Sequence, residues 1–262
     1  LVFAYDNKNN FYFSSDKQAL SGYADKLIYL DDGDILHIKD KNYQIKANWI
    51  KISRKIEDMD IDSLEASKWN YKHFMLKEIS EQPAIIKRIC KWRVNFVDKT
   101  MNAEAFHGMQ DEHFKKIVFV GCGTSYNAWL LGTYFMEDLA GLESVAFIAS
   151  EYEYQHINVD DEILFVFISQ SGETADSISV LKLLKSRWAH TFGIVNVVWS
   201  TISRLTDYGL FTRAWAEIWV ASTKAFTAQI TCIVLLALFL GQKRWLSKAK
   251  YDKVLSELER IP

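Results

Sequence analysis

Cysteine is scarce in this sequence, with three residues at positions 90, 122 and 232. An odd number of widely separated cysteines matches neither a disulfide framework nor a zinc-ligand pattern and suits a reducing cytosol. An excess of charge of either sign is missing too. The 31 Lys and Arg against 33 Asp and Glu leave a net charge of −2, which gives no reason to expect nucleic acid or an anionic membrane as partner. The most apolar run, residues 230–240, has 11 residues, short of the ~20 needed to span a bilayer, and reads as a buried helix. None of the six histidines pairs with another at i, i+3 or i+4, so solvated or structural roles are expected and no metal. Position 1 is Leu, with no signal peptide ahead of it, and the chain reads as a fragment. Glycine is low at 11 of 262 residues, below the average of about 7%.

What is present is 49% hydrophobic and 24% charged, ordinary for a soluble globular protein of one large or two small domains. The stretch that organises the rest is residues 163–184, ILFVFISQSGETADSISVLKLL. Residues 163–168 are an unbroken apolar run rich in β-branched and aromatic side chains, suited to a strand buried on both faces. At Ser169 the composition turns to small hydroxyls and glycine, after which Ile178, Leu181, Leu183 and Leu184 recur at helical spacing. The polar loop therefore joins a strand end to a helix start, where unpaired backbone N–H groups and the positive dipole end favour an anion. Ser169, Ser171 and Thr174 offer hydroxyls to phosphate oxygens, and Gly172 permits close approach. The same hydroxyls would also serve as plain helix caps. A second loop of the same kind favours the phosphate.

That second loop is GCGTS, residues 121–125, after the strand expected at 117–120 and before a helix expected at 127–139. Further strands are expected at 145–149, 192–197 and 209–212. Such alternation implies an α/β fold, a parallel sheet with helices on both faces and a site at the carboxyl ends of the strands. GCGTS lacks the third glycine of a dinucleotide fingerprint, with Tyr126 in its place, and no acidic residue ends the next strand at the usual distance. A nicotinamide is not expected.

Ahead of this, residues 11–13, 27–30 and 35–38 read as short strands, with a hairpin at Asp31, Asp32, Gly33, Asp34. Such a β region of ~50 residues buries too little apolar surface to stand alone and reads as the end of a domain. Residues 56–72 read as a linker or surface helix, and 73–91 as two helical pieces broken at Pro83. Glu151 and Glu153 read as solvated or hydrogen-bonded rather than an acid/base pair. Lys224 reads equally as a supplement to the anion site or a surface ion pair.

The segments GCGTSYNA (121–128), IASEY (148–152), SQSGETADS (169–177) and VASTKAFTAQ (220–229), preceded by HFMLKEISEQP (73–83), together resemble the glutamine–fructose-6-phosphate aminotransferase family, essentially end to end. The resemblance implies a glutaminase-domain end at residues 1–40, a linker and leading helices at 41–114, and a first sugar-isomerase (SIS) domain of flavodoxin-like topology at 115–247. Residues 248–262 would be a helix leading to a second SIS domain. It implies that Ser169, Gln170, Ser171 and Thr174 contact the phosphate of fructose 6-phosphate. Thr124, Ser125, the backbone of Val220 and the hydroxyl of Ser222 would hold the sugar. The family's ring-opening histidine, proton-moving glutamate, reactive lysine and glutamine-cleaving cysteine have no match here, so no catalytic residue is assigned. Fructose 6-phosphate or glucose 6-phosphate is the implied ligand, with no cofactor, no metal, no nucleic acid and no membrane. The implied setting is a cytoplasmic full-length homodimer. The alternative is a non-catalytic sugar-phosphate-sensing SIS module. Such a regulator would carry a basic helix-turn-helix, whereas the residues ahead of the SIS domain resemble the glutaminase tail.

Tryptophan is as abundant as glycine is scarce, with nine residues at 49, 69, 92, 129, 188, 199, 215, 219 and 245. Trp92, Trp188 and Trp245 follow expected helices with basic last turns, where a left-handed C′ glycine belongs. Trp199 and Trp215 sit at expected turns, and Trp219 abuts Val220. The expectation is a gene that uses UGA for glycine, translated with a code that reads UGA as tryptophan; the alternative is a genuinely tryptophan-rich divergent homologue.

Overall fold

A computed structural model describes residues 1–14, 20, 22–59, 70–106, 109, 114–155 and 158–261. Of the sequence expectations, Trp69, His107, His113, His156 and most of the 56–72 segment lie outside the described residues. The backbone divides into two units, Leu1–Trp69 and Asn70–Pro262.

The first unit continues past residue 40. Strands β1 (Val2–Tyr5), β2 (Phe11–Ser14) and β3 (Lys26–Tyr29) precede β4 (Asp34–Lys39), β5 (Asn42–Ala47), β6 (Ile50–Ile52) and β7 (Ile56–Asp58). They form a four-stranded sheet, β2-β1-β3-β7, and a three-stranded one, β4-β5-β6, both antiparallel. The turn at residues 31–34 therefore joins strands of two different sheets and is not a hairpin. The hairpin lies one strand later, at Asp40-Lys41, where both residues have positive φ, as a two-residue type I′ loop requires. Phe3 is fully buried between the sheets and packs edge-on against Tyr43.

In the second unit, α1 (Phe74–Lys91) is one continuous helix with Pro83 inside it, not two pieces. Ile85, Ile86 and Ile89, just beyond the proline, are core residues. Their burial outweighs the one backbone bond that proline cannot donate. A short hairpin, β8 (Val94–Asn95) and β9 (Thr100–Met101), follows. Then come β10 (Lys116–Gly121), α2 (Thr124–Phe135), β11 (Glu143–Ile148), β12 (Ile163–Ser169), α3 (Ala175–Ser186), β13 (His190–Val195), α4 (Thr201–Leu205), β14 (Tyr208–Phe211), α5 (Lys224–Gln242) and α6 (Lys248–Arg260). Helix α2 begins three residues before the expected start and runs into a π-helical turn, Met136–Ala140.

The five strands β11-β10-β12-β13-β14 pair in parallel throughout, the 2-1-3-4-5 order of flavodoxin-like sheets. All seven residues of β12 are buried, and they divide by parity. Leu164, Val166 and Ile168 join one core with residues of α1, α2, α5 and α6. Ile163, Phe165 and Phe167 join another with residues of α3 and Ile202 of α4. By length and composition α5 could cross a membrane, with a mean hydropathy of 1.8. All its residues from 231 to 241 are buried in this unit, as the buried-helix reading expects.

Of the tryptophans expected at left-handed helix ends, only Trp188 has positive φ. Trp92 has φ −101°, and Trp245 is not among the positive-φ residues.

Asp207 joins the last two strands to α3. Its carboxylate accepts from the Thr191 amide at 3.0 Å and the Thr191 hydroxyl at 2.7 Å, and it pairs with Lys185. Burial works to raise the carboxyl, yet the Lys185 and Thr191 donors together hold it below its ordinary 3.8. A lowered carboxyl stabilises the fold fully above its unfolded value of about 4 and stops doing so as pH falls through the lower folded value. Asp207→Asn is expected to destabilise the chain by about 1 to 3 kcal/mol at pH 7. It should also flatten the loss of melting temperature below about pH 4, as thermal melts across pH would record.

Candidate functional site

Strand β10 runs beside β12 in parallel, so the loops that leave their carboxyl ends are neighbours. The Cys122 thiol of the first loop lies 4.0 Å from the Asp176 carboxylate in the first turn of α3. The GCGTS and SQSGET loops therefore lie side by side at the carboxyl edge of the sheet.

The SQSGET loop is held by its own hydroxyls. The Ser169 and Thr174 hydroxyls bond each other at 2.9 Å, Ser169 also accepts from the Gly172 amide at 3.0 Å, and Ser171 accepts from the Glu173 amide at 3.1 Å. Thr174 stands at the N-cap of α3 yet makes no side-chain cap bond. The simple capping role is therefore not the one its hydroxyl plays, and the first turn of α3 keeps the unpaired donors that suit an anion. Asp176, in the same turn, works against that potential. Gly172 is required, since its φ is +69° and a Cβ would lie 2.1 Å from the Ser200 hydroxyl. Neighbouring elements fix the loop: the Asn196 amide donates to the Gln170 carbonyl, and the Ile202 amide to the Gly172 carbonyl. The Glu173 carboxylate accepts from the Thr201 amide.

Thr124 and Ser125 are the first residues of α2, with no side-chain cap. Thr124 is exposed. Ser125 is buried and accepts from the Gln229 side-chain amide at 3.1 Å, while the Gln229 carbonyl is buried with no partner. Through Gln229 the helix α5, which follows the VAST segment, reaches the first loop.

Val220 and Ser222 lie in the loop between β14 and α5. Val220 is fully exposed, and no hydrogen bond among the described residues joins either to the two hydroxyl loops. Four side chains hold their loop, one of them Arg88 of α1, which donates to the Arg213 carbonyl. Asn196 accepts from the Ala214 amide and donates to the Trp215 carbonyl. Glu78 of α1 accepts from the Ile218 and Trp219 amides. Glu217 accepts from the Thr223 and Ala225 amides, capping α5.

Neither sequence reading of Lys224 matches its place. It is 1% exposed, and its ammonium lies 2.6 Å from Glu81 of α1, with Lys77 on the far side of the same carboxylate. Charges buried this way need each other. Burial also pushes the Cys90 and Cys232 thiols up, to about 11 and about 12, so neither is a thiolate nucleophile at neutral pH. Glu151 is exposed, as expected of a solvated carboxylate. Among the described residues no group of three His, Cys, Asp or Glu side chains could hold a metal.

Glu78 and Gln229 fall inside motifs visible in the sequence, but nothing in their spacing gives them these partners. Glu217 and Asn196 carry no sequence signal at all, since each works by reaching backbone amides that only the folded chain brings close.

Residues 112–239 match the SIS domain family. The chain is 35% identical over 255 residues to the glutamine–fructose-6-phosphate aminotransferase of Chlorobaculum tepidum, covering 96% of this chain and 42% of that protein. It is 38% identical over 265 residues to that of Caldanaerobacter subterraneus, covering 100% of this chain and 43% of that one. Among solved structures it resembles the C-terminal domain of glucosamine-fructose-6-phosphate aminotransferase from Francisella tularensis. There the TM-score is 0.68 at 38% identity, over 74% of this chain and 55% of that one. Glucosamine-6-phosphate deaminase from Thermotoga maritima matches with TM-score 0.55 at 25% identity, over 70% of this chain and 53% of that one. The chain thus spans less than half the length of these two curated relatives, carries a SIS domain of flavodoxin-like α/β fold, and is similar along nearly its whole length to the corresponding part of the glutamine–fructose-6-phosphate aminotransferases.

Proposed function

We propose that this chain is the sugar-phosphate-holding part of an enzyme that makes glucosamine 6-phosphate from fructose 6-phosphate and glutamine. The observation that carries the reading is the amino end of α3, which no side chain caps and around which Ser169, Gln170, Ser171 and Thr174 are gathered. A dianionic phosphate there meets backbone amides and hydroxyl donors together. Thr124 and Ser125 at the start of α2, with the Val220 backbone and Ser222 hydroxyl, take the sugar hydroxyls. On this reading the first unit ends a glutaminase domain, and α6 leads toward a second SIS domain. The full protein is a cytoplasmic homodimer.

Fructose 6-phosphate or glucose 6-phosphate should bind, and free fructose should not, in titration calorimetry. The double variant Ser171→Ala, Thr174→Ala is expected to weaken sugar-phosphate binding by about 2 to 4 kcal/mol, at about 1 to 2 per lost contact. Equal affinity for phosphorylated and free sugar would sink the assignment.

No residue of the chain matches the family's reacting groups, so residues 1–262 assayed alone are expected to release no glutamate from glutamine and form no glucosamine 6-phosphate. Glutaminase turnover in a clean preparation would contradict this.

A further inference from the structure

Glu78 is 2% exposed. One carboxylate oxygen accepts from the Ile218 amide at 2.7 Å and the Trp219 amide at 3.2 Å, while the other is buried with no partner. A buried carboxylate with one oxygen unpaired is an expensive way to fasten a loop. The two amides it grips directly precede Val220, and Glu217 fastens the far end of the same loop at Thr223 and Ala225. Resting on the sugar-phosphate reading above, we propose that Glu78 is a positioning residue. It fixes the Val220 backbone and the Ser222 hydroxyl for the sugar while leaving the phosphate loop, which it does not touch, unaffected. The test is calorimetry on the full-length gene product with fructose 6-phosphate and with inorganic phosphate. Glu78→Ala should raise the Kd for fructose 6-phosphate about tenfold or more and leave that for inorganic phosphate unchanged. Glu78→Gln, which keeps the accepting oxygen, should restore most of the affinity. Glu78→Met fills the same space without an acceptor and carries the test if the alanine variant does not fold. Unaltered sugar-phosphate binding in both Ala and Met variants, or equal loss of both ligands, overturns the proposal. Failure of the unaltered protein to prefer sugar phosphate over free sugar would instead overturn the functional reading beneath it.

An independent observation concerns the backbone. Trp49, Trp188, Trp199 and Trp215 have φ of +66°, +62°, +66° and +55°, a region where a Cβ clashes with the following carbonyl and where glycine is the usual occupant. They are four of the ten described non-glycine residues with positive φ. Two stand in motifs that call for glycine by name. Asn48-Trp49 is the two-residue loop between paired Ala47 and Ile50, where Asn-Gly is the preferred type I′ sequence. Trp188 is the C′ residue of a Schellman motif closing α3, its amide on the Lys185 carbonyl and the Ala189 amide on the Leu184 carbonyl. Trp49, Trp188 and Trp199 are at least 81% exposed, so the indoles gain little packing there. Trp129 is fully buried inside α2 with an unpartnered indole nitrogen, and a Cβ on Gly121 would lie 2.3 Å from its ring. Tryptophan and glycine together make up about 8% of the chain, near the average for glycine alone. We infer that the natural protein carries glycine at 49, 188, 199 and 215, and that its gene reads UGA as glycine at all nine tryptophan positions. Sequencing the gene should find UGA at these codons, and peptides of the protein from its native cells should carry glycine. UGG at any of the four left-handed positions overturns the inference. At the level of the fold, W188G and W199G combined, at exposed sites where little packing is lost, should raise the melting temperature of the full chain by roughly 4 to 8 °C. An unchanged or lowered value counts against glycine at those sites.

Discussion

Burial of β12 on both faces is the constraint on which the second unit depends. Seven consecutive buried residues cannot sit at an edge or on a one-sided sheet. Their alternating side chains need two separate apolar layers. One is supplied by α1, α2, α5 and α6, the other by α3 and α4. Helices can reach both faces only through crossover connections, which make the sheet parallel and bring every strand's carboxyl end to one edge. The hydroxyl loops after β10 and β12 are neighbours for that reason.

The same arrangement supplies the chemistry of the site. Each loop passes directly into a helix, α2 or α3, whose amino end lies at the carboxyl edge of the sheet. Neither end is capped by a side chain, so the donors that a cap would consume remain for a ligand. The hydroxyls of SQSGET spend part of their capacity on one another and on the loop's own amides. Those bonds fix the shape of the loop. Asp176 opposes the potential, and its exposed position near Cys122 lets water screen it.

The loop that carries Val220 and Ser222, proposed as the third part of the site, is held differently. The loop between β14 and α5 has no secondary structure of its own, and side chains grip its backbone: Asn196 from the end of β13, Glu78 and Arg88 from α1, and Glu217 from within the loop. Two of the four left-handed tryptophans, Trp199 and Trp215, flank the strand ends near this region. Glycine there would make the chain more pliable and the need for outside anchors greater. Beneath it, the buried Lys224–Glu81 pair locks α5 to α1, the two helices that carry Gln229 and Glu78.

The sheet and the first two loops were legible in the sequence because their determinants are local. An apolar run of strand length, a glycine-hydroxyl loop and a helical repeat each declare themselves within about ten residues. The turn at 31–34 was misplaced because turn composition does not say which strands a turn joins; that is decided by the two sheets packing around Phe3. Pro83 did not break α1, since burial of the isoleucines beyond it exceeds the loss of one backbone bond. Composition and motif thus determined by themselves the α/β class, the parallel sheet and the hydroxyl loops at its carboxyl edge. Only the tertiary structure decided what Glu78, Glu217, Asn196, Gln229 and Lys224 do. Each acts through a partner up to 143 residues away, or on amides whose positions no local pattern encodes, and such contacts exist only once the helices have docked on the sheet.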